Sequence, residues 1–186
     1  MTNMIGLTVR LSSVEKRLCE YVTKVRIQTN RSNNVSDKKI SKDEELKLEV
    51  EGYGAELAFC RLFNVFPDTS THSRSSESDT GDAFLPCGRA VDVKATKYTN
   101  GKLLAALWKK DEVDLYALMV GQYPEYTFMG FMRKDELRRE ERVGSLGHGP
   151  TYIANQNELK ELSELQNESR FNTRAADCYL QPASNQ

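Results

Sequence analysis

The chain has 186 residues, of which 39% are hydrophobic and 28% charged, the balance of an ordinary globular domain. Its 26 basic and 27 acidic side chains give a net charge of -1, so any nucleic-acid surface must come from local clustering. No stretch approaches the roughly 20 apolar residues that cross a bilayer, and the first residues lack the pattern of a secretory signal. We therefore expect a cytoplasmic protein without a membrane partner, with one domain over residues 1–166 and a polar tail over 167–186.

Two helices are predicted ahead of the first strand, and each begins with a capping box. In the first helix, Ser12 and Glu15 precede apolar residues at helical spacing, which predict a buried face made of Val14, Leu18, Tyr21, Val22 and Val25. We interpret residues 1–34 as a helical extension of a catalytic core that spans residues 35–166.

The second helix begins at Ser41 and Glu44, and its apolar residues recur at spacings of three and four, namely Leu46, Val50, Tyr53, Leu57 and Cys60. Gly52 and Gly54 interrupt this pattern. A glycine inside a helix costs about 1 kcal/mol relative to alanine. The pair therefore indicates that something approaches the helix backbone closely at this point.

The order of the remaining elements predicts the fold class. Residues 67–80 are almost wholly polar and predict a long loop. Five strand-like runs follow, and a Tyr-Thr-Asn-Gly sequence predicts a hairpin between the second and third; the runs lie at 82–86, 89–96, 102–108, 114–120 and 126–132. A charged helix, a glycine-rich loop and an amphipathic helix complete the order, at 133–143, 144–150 and 155–165. This order predicts an α/β or α+β domain with a central mixed β-sheet flanked by α-helices.

Two of the predicted strands carry charged residues that a buried strand does not need. Alternation places Asp92 and Lys94 on one face of their strand and valines on the other, so the charged face is expected at a surface or in a cleft. The intervening Pro-Cys-Gly turn folds the strand of Asp82 back beside that of Asp92. Two carboxylates next to one ammonium group form a site for a hard divalent cation, which prefers oxygen ligands.

A third acid lies on the inward face of the second predicted helix. Glu56 falls within the arc occupied by Tyr53, Leu57 and Cys60. An unpaired buried charge costs several kcal/mol, so Glu56 requires a partner. A metal ion or Lys94 would satisfy it, and so would an arginine such as Arg89, in which case its role is structural.

These acids and the lysine resemble the motif of the PD-(D/E)xK nuclease superfamily. The resemblance rests on Glu56 in "GYGAELAF", Asp82 in "GDAF", and Asp92 and Lys94 in "DVK". It extends over about residues 40–165, because "DLYALMV" and "YTFMGF" also look like later strands of that family.

The resemblance implies a restriction-endonuclease-like fold and a metal-dependent hydrolase. The implied ligands of Mg²⁺ or Mn²⁺ are Asp82, Asp92, Glu56 and the backbone carbonyl of Val93. In the family the matching lysine assists the attacking water; the surrounding carboxylates favour the protonated form of Lys94, so we expect it to position and stabilise charge. One position departs from the pattern, since Gly81 stands where the family name has proline.

Substrate contacts are predicted from local basic clusters that suit phosphates. One follows the acids and contains Lys94, Lys97, Lys102, Lys109 and Lys110; the other lies in the charged helix and contains Arg133, Lys134, Arg138, Arg139 and Arg142. Thr96 shares a strand face with Lys94, and His148 lies in the glycine-rich loop. We assign substrate binding to Thr96, Lys97, Lys102 and His148, whereas Trp108 is expected in the core.

The expected function is that of a divalent-metal-dependent endonuclease acting on DNA, with self-association left open. Two alternatives remain. In the first, the chain is a non-catalytic nucleic-acid-binding module in which Asp82, Asp92 and Lys94 form structural ion pairs. In the second, it is a small interaction protein without affinity for nucleic acid, which the near-zero net charge makes plausible.

Overall fold

The computed structural model describes residues 3–33, 41–71, 81–109, 112–147 and 149–167, and every structural statement below refers to these ranges. His148, Lys110 and most of the predicted loop at 67–80 lie outside the described residues. The described residues form a mixed α and β arrangement with a central mixed sheet and flanking helices. At this level the predicted fold class is confirmed.

Both N-terminal helices begin where the capping boxes predict. Helix α1 spans Ser13–Ser32 and helix α2 spans Lys42–Phe63. In each, the N-cap serine and the glutamate three residues later each accept a hydrogen bond from the other's backbone N–H. Helix α2 ends at Asn64, which adopts the left-handed conformation with φ of 51°.

The buried face of α1 differs from the predicted one. Val14 and Tyr21 are 64% and 67% exposed. The buried residues are Cys19, Val22, Thr23, Ile27 and Asn30, so Val22 alone belongs to both sets. Polar residues share this face because the hydroxyl of Thr23 donates to the carbonyl of Cys19 at 2.8 Å. The face predicted from apolar periodicity alone therefore lies next to the face that is buried in the structure.

The main sheet has five strands and a parallel pair at its centre. Its strands are β1 Thr8–Arg10, β2 Ala83–Phe84, β3 Ala90–Thr96, β5 Leu115–Gln122 and β6 Glu125–Arg133, in the spatial order β1-β6-β5-β3-β2. Strand β3 runs parallel to β5 and antiparallel to β2, while β5 and β6 are antiparallel. Four of these strands match predicted runs, and β1 is an edge strand that the sequence pattern does not predict.

A second sheet of three strands shows that the predicted hairpin is wrong. It contains β4 Leu103–Ala106, β7 Val143–Ser145 and β8 Pro150–Ala154, in the order β4-β8-β7. Because β2 and β5 occupy both edges of β3, the chain leaves the main sheet at residues 98–101, and β4 pairs with β8 instead. The side-chain amide of Gln156 holds this turn by donating to the carbonyls of Thr99 at 2.9 Å and Gly101 at 2.8 Å.

The two predicted C-terminal helices are shorter than expected. The charged helix at 133–143 reduces to α3 Lys134–Leu137 and a 3₁₀ turn, and the helix at 155–165 becomes a 3₁₀ turn followed by α4 Leu162–Asn167. Before α4, Lys160 pairs with Phe131 of β6 through two backbone hydrogen bonds of 2.9 and 2.8 Å. Sheet pairing therefore takes the backbone groups that a continuous helix would use.

The main sheet is covered on both faces. Helices α1 and α2 pack on one face against Val91 and Val93, whereas the second sheet and α3 cover the other face around Tyr116 and Leu118. This double coverage also buries Asp92, which is only 2% exposed. The expectation of a surface position for Asp92 is therefore wrong, and the alternative position in a cleft stays a prediction.

Helix α2 lies close to the main sheet at Gly54. A Cβ atom there would lie 2.8 Å from the hydroxyl of Tyr126 and 2.9 Å from the ring of Tyr123, which confirms the predicted close approach. The hydroxyl of Tyr126 donates to the carbonyl of Glu51 at 3.0 Å. Among the described residues, nothing outside the surrounding turns of α2 lies within 4 Å of the corresponding position of Gly52, so the prediction holds for Gly54 and not for Gly52.

The N-terminal helix belongs to the same core as α2. Cys19 and Val22 of α1 pack in the cluster that contains the inner residues of α2 and of the main sheet. The division into an extension and a core at residues 34 and 35 stays a prediction. Among the helices that the structure describes, none is long and apolar enough to span a bilayer.

Candidate active site

The hairpin of β2 and β3 brings the two predicted acids together. The backbone N–H of Asp82 donates to Val91 at 2.8 Å, and Oδ2 of Asp82 accepts the backbone N–H of Val93 at 2.7 Å. The register of β2 and β3 ends with Ala83 opposite Val91, and Asp82, one residue before β2, lies close enough to Asp92 for the two carboxylates to interact electrostatically.

The glycine before Asp82 is required by this hairpin. Gly81 has a φ of +94°, and a Cβ atom there would lie 2.9 Å from the carbonyl oxygen of Val91 and 3.0 Å from a methyl of Val113. A proline ring fixes φ near -65°, so proline cannot occupy this position. The departure from the family pattern therefore follows from the backbone conformation that places Asp82 against β3.

Asp92 is neutralised by two lysines. The ammonium of Lys94 lies 2.6 Å from Oδ1 of Asp92, and that of Lys109 lies 3.2 Å from Oδ2. A buried carboxylate needs such partners, because desolvation of an unpaired charge is costly. Sequence reasoning places Lys109 in a basic run but misses its contact with Asp92. The contact spans 17 residues and exists because the chain leaves the main sheet to form β4 and then returns.

Glu56 contacts an arginine of the neighbouring helix. Its carboxylate lies 3.6 Å from the guanidinium of Arg26 in α1. The alternative partner considered from the sequence, Arg89, instead pairs with Asp114 at 3.0 Å. Arg26 also donates to the carbonyl of Ser70 at 2.9 Å, so it joins α1 to α2 and to the segment that follows α2.

The three carboxylates interact electrostatically. Burial raises the pKa of Asp82 well above its ordinary value, and the negative charges of Glu56 and then Asp92 raise it further. The hydrogen bond from the Val93 N–H and the charge of Lys94 oppose this rise in the pKa of Asp82. An additional positive charge near Asp82 would relieve the repulsion among the carboxylates.

The oxygen atoms on this edge suit a hard divalent cation. Asp82 and Asp92 offer carboxylates, and the N–H of Val93 points towards Asp82. The N–H and C=O of one strand residue face the same neighbouring strand, so the carbonyl of Val93 is directed to the same edge. Within the described ranges, however, no three side chains of His, Cys, Asp or Glu are grouped to hold a metal ion. Metal entry would therefore require a lysine to move away from Asp92.

The predicted substrate contacts are spread along the chain beyond Lys94. Thr96 lies on the same strand face, and its hydroxyl oxygen accepts the backbone N–H of Tyr98 at 3.4 Å, so it also holds the turn that follows. Lys97 is exposed, with its ammonium 5.4 Å from the ring centre of Tyr98, and Lys102 is exposed as well. His148 lies outside the described residues, and the substrate roles of all four stay predictions.

The predicted basic helix contributes residues to a cleft. One of them, Arg138, is linked to Asp92 through Lys109. The cleft has a volume of about 440 Å³ and is lined by Arg89, Val113, Asp114, Arg133, Lys134, Asp135 and Arg138. Arg138 donates to the carbonyl of Lys109 at 2.8 Å and to the hydroxyl of Tyr116 at 2.7 Å. Four cations and two acids line the cleft, which leaves a surplus of positive charge.

Comparison with known proteins gives a family but no activity. A family model described as a family of unknown function (DUF5843) matches residues 3–129. The match includes α1, α2, the hairpin of β2 and β3, and strand β5. Among curated proteins and among solved structures, nothing matches this chain.

Proposed function

The chain belongs to this family of unknown function, DUF5843, and we propose that it is a divalent-metal-dependent endonuclease that hydrolyses phosphodiester bonds of DNA. One observation carries the proposal. The carboxylate of Asp82 accepts the backbone N–H of Val93, the residue after Asp92, at 2.7 Å, and the ammonium of Lys94 lies 2.6 Å from Asp92. Strand β3 of this hairpin pairs with the parallel strand β5, and helix α2 packs on them. This arrangement supports the proposal of a restriction-endonuclease-like fold.

The proposed metal ligands are the carboxylates of Asp82 and Asp92 and the carbonyl of Val93, with Glu56 available to complete the set. Mg²⁺ or Mn²⁺ bound there would supply Lewis-acid polarisation of a phosphate and a lowered pKa for its bound water. The choice of hard cations follows from the oxygen donors. Asp82 gains most from the ion, because its ionised form is disfavoured by burial and by two neighbouring carboxylates.

The lysines serve to attract and hold the phosphodiester. Without a metal ion, the balance of charge comes from Lys94 and Lys109, which contact Asp92, and from Arg26, which is shared between Glu56 and Asp68 at 3.6 and 3.4 Å. A divalent cation would shift this balance by two positive charges, which favours a polyanionic substrate. Lys94 then stabilises the charge that develops on phosphate oxygens.

A cleavage assay tests the proposal. Purified protein is incubated with supercoiled plasmid and with labelled oligonucleotides in Mg²⁺, Mn²⁺ or EDTA. We expect metal-dependent cutting that Asp82→Asn and Asp92→Asn reduce by at least about 100-fold, the scale of a lost electrostatic group at a reacting centre. Asp43→Asn is the matched control, since Asp43 is exposed in the first turn of α2. Cutting that is absent in both metals, or that survives both site substitutions, contradicts the proposal.

A second candidate is a non-catalytic nucleic-acid-binding module with the same fold. It is favoured by the neutralisation of Asp92 by Lys94 and Lys109 and by the lack of a ready three-ligand group in the described ranges. Such a module would bind DNA with an affinity that falls steeply as salt rises and that does not depend on Mg²⁺. The cleavage assay and a salt titration of DNA binding separate the two candidates.

A further inference from the structure

The single tryptophan of the chain lies in solvent rather than in the core. Trp108 follows β4 in a turn and is 84% exposed, so the expectation of a core position is wrong. A lone exposed apolar side chain is common on protein surfaces and by itself indicates nothing. The residues around Trp108 in space decide what its exposure means.

The turn that carries Trp108 is attached to the candidate active site. The next residue, Lys109, reaches Asp92 with its ammonium at 3.2 Å. The carbonyl of Lys109 accepts a hydrogen bond from Arg138 at 2.8 Å, and Arg138 also donates to Tyr116 at 2.7 Å. Tyr116 is fully buried and stands opposite Asp92 in the register of β3 and β5. Lys109, the residue after Trp108, is therefore held by its ammonium group at Asp92 and by its backbone carbonyl at Arg138.

Consecutive Cα atoms are about 3.8 Å apart, so the backbone of Trp108 lies next to that of Lys109, which contacts the proposed catalytic carboxylate of Asp92. The two lysines that contact Asp92, Lys94 and Lys109, are cations of a kind that suits a phosphate. An exposed aromatic ring beside a phosphate-binding lysine is the combination that binds single-stranded nucleic acid, because every base offers a π-face for stacking.

We propose that Trp108 stacks on a base of an unpaired nucleic-acid strand while Lys109 and Lys94 contact the adjoining phosphate. The inference rests on the proposed function and narrows its substrate to single-stranded or locally unpaired DNA. In an intact duplex each base is already stacked on its neighbours, so an indole can take a base only where the duplex opens.

The test uses the intrinsic fluorescence of Trp108, which is unambiguous because the chain contains one tryptophan. Full-length protein in EDTA is titrated with oligothymidylate, and with the same strand annealed to its complement. We expect the single strand to quench the emission in a saturable manner that weakens with salt, and the duplex to quench it much less. Because the measurement excludes metal ions, its result does not depend on cleavage.

Variants then measure what the ring contributes. With a labelled oligothymidylate followed by fluorescence anisotropy, Trp108→Ala should raise the dissociation constant at least about five-fold, the lower end of base stacking, while Trp108→Phe retains most of the affinity. Tyr21→Ala is the matched control, because Tyr21 is an exposed aromatic residue of α1, far in sequence from the site. Circular dichroism of each variant verifies that the fold is retained.

Saturable quenching together with weaker binding by Trp108→Ala supports the inference. It is overturned if the single strand leaves the emission unchanged, if Trp108→Ala binds as well as the unsubstituted protein, or if duplex and single strand quench equally. Metal-dependent plasmid cutting without quenching contradicts this inference and supports the nuclease activity. Quenching by the single strand without any cutting supports the stacking site and contradicts the proposed function.

Discussion

The ammonium of Lys109 lies 3.2 Å from Oδ2 of Asp92, across 17 residues of sequence. The other carboxylate oxygen is held by Lys94 at 2.6 Å. Lys109 therefore occupies one of the two oxygen atoms through which Asp92 would bind a cation. Any ion that enters must compete with an ammonium group whose backbone is fastened by Arg138.

Removal of this competitor should strengthen metal binding. We expect Lys109→Met to tighten the binding of Mn²⁺ by a few-fold to about ten-fold, because an opposing positive charge leaves a partly buried site. Isothermal titration calorimetry without DNA measures the effect. Lys102→Met, which removes an exposed lysine, should leave the affinity unchanged. An affinity for Mn²⁺ that is equal or lower in Lys109→Met would contradict this competition.

Asp82 should be a residue that lowers stability in the absence of metal. Its ionised form is disfavoured by burial and by Glu56 and Asp92, as the raised pKa of Asp82 indicates. An asparagine can still accept the N–H of Val93 through its amide oxygen. Asp82→Asn should therefore raise the free energy of unfolding at neutral pH, by on the order of 1 kcal/mol, in EDTA.

Urea denaturation of the two proteins in EDTA measures this difference, and the same titration in excess Mn²⁺ should reduce or reverse it. If Asp82→Asn is destabilised in EDTA, then the hydrogen bond from Val93 and the attraction of Lys94 outweigh the costs of burial and repulsion, and the prediction is wrong.

Gly81 should tolerate no side chain. Gly81→Ala meets both a left-handed φ of +94° and a carbonyl oxygen 2.9 Å from the new Cβ atom, so we expect a loss of about 2–4 kcal/mol in the free energy of unfolding. Gly88→Ala is the matched control, because Gly88 has a φ of +78° but no atom within 4 Å of the Cβ position. That control should lose only about 1 kcal/mol. Equal losses in the two variants would show that packing against Val91 is unimportant.

Glu158 should contribute a pH-dependent part of the stability. Hydrogen bonds from the backbone of Asn155 and from Arg142 lower the pKa of Glu158 below its ordinary value of 4.5. A carboxylate whose pKa is lowered by folding stabilises the protein above that ordinary value, and the contribution is lost as the pH falls through the lowered pKa. Glu158→Gln should therefore cost about 0.5–1 kcal/mol at pH 7 and almost nothing once the pH has fallen below the lowered pKa of Glu158. Thermal melts across this range measure the difference, and a cost that does not change with pH would contradict the assignment.

Local signals in the sequence predict much of the fold. The serine and glutamate pairs at Ser12 and Ser41 predict both helix starts, since capping depends on residues three apart. The β-strands that match predicted runs in the main sheet follow from apolar runs bounded by turns. The hairpin that joins Asp82 to Asp92 is likewise local, because only a short turn separates the two strands.

Long-range relationships account for what the sequence does not predict. The pairing of β4 with β8 depends on both edges of β3 being occupied, which no local pattern records. The contact of Lys109 with Asp92 and the exposure of Trp108 follow from that same excursion of the chain. The buried face of α1 is misjudged because Thr23 satisfies its hydroxyl within the helix and can be buried like an apolar residue.

The absence of a side chain at residue 54 has an effect two positions further along α2. Because Gly54 lets Tyr126 and Tyr123 rest against the helix backbone, the distance between α2 and the strands beneath it is set by direct contact rather than by interlocking side chains. The same spacing sets the distance between Glu56 and the hairpin of β2 and β3. A methyl group at residue 54 would push α2 away from the strands and move Glu56 from its neighbours, so it would change the affinity of the proposed metal site although residue 54 does not belong to that site.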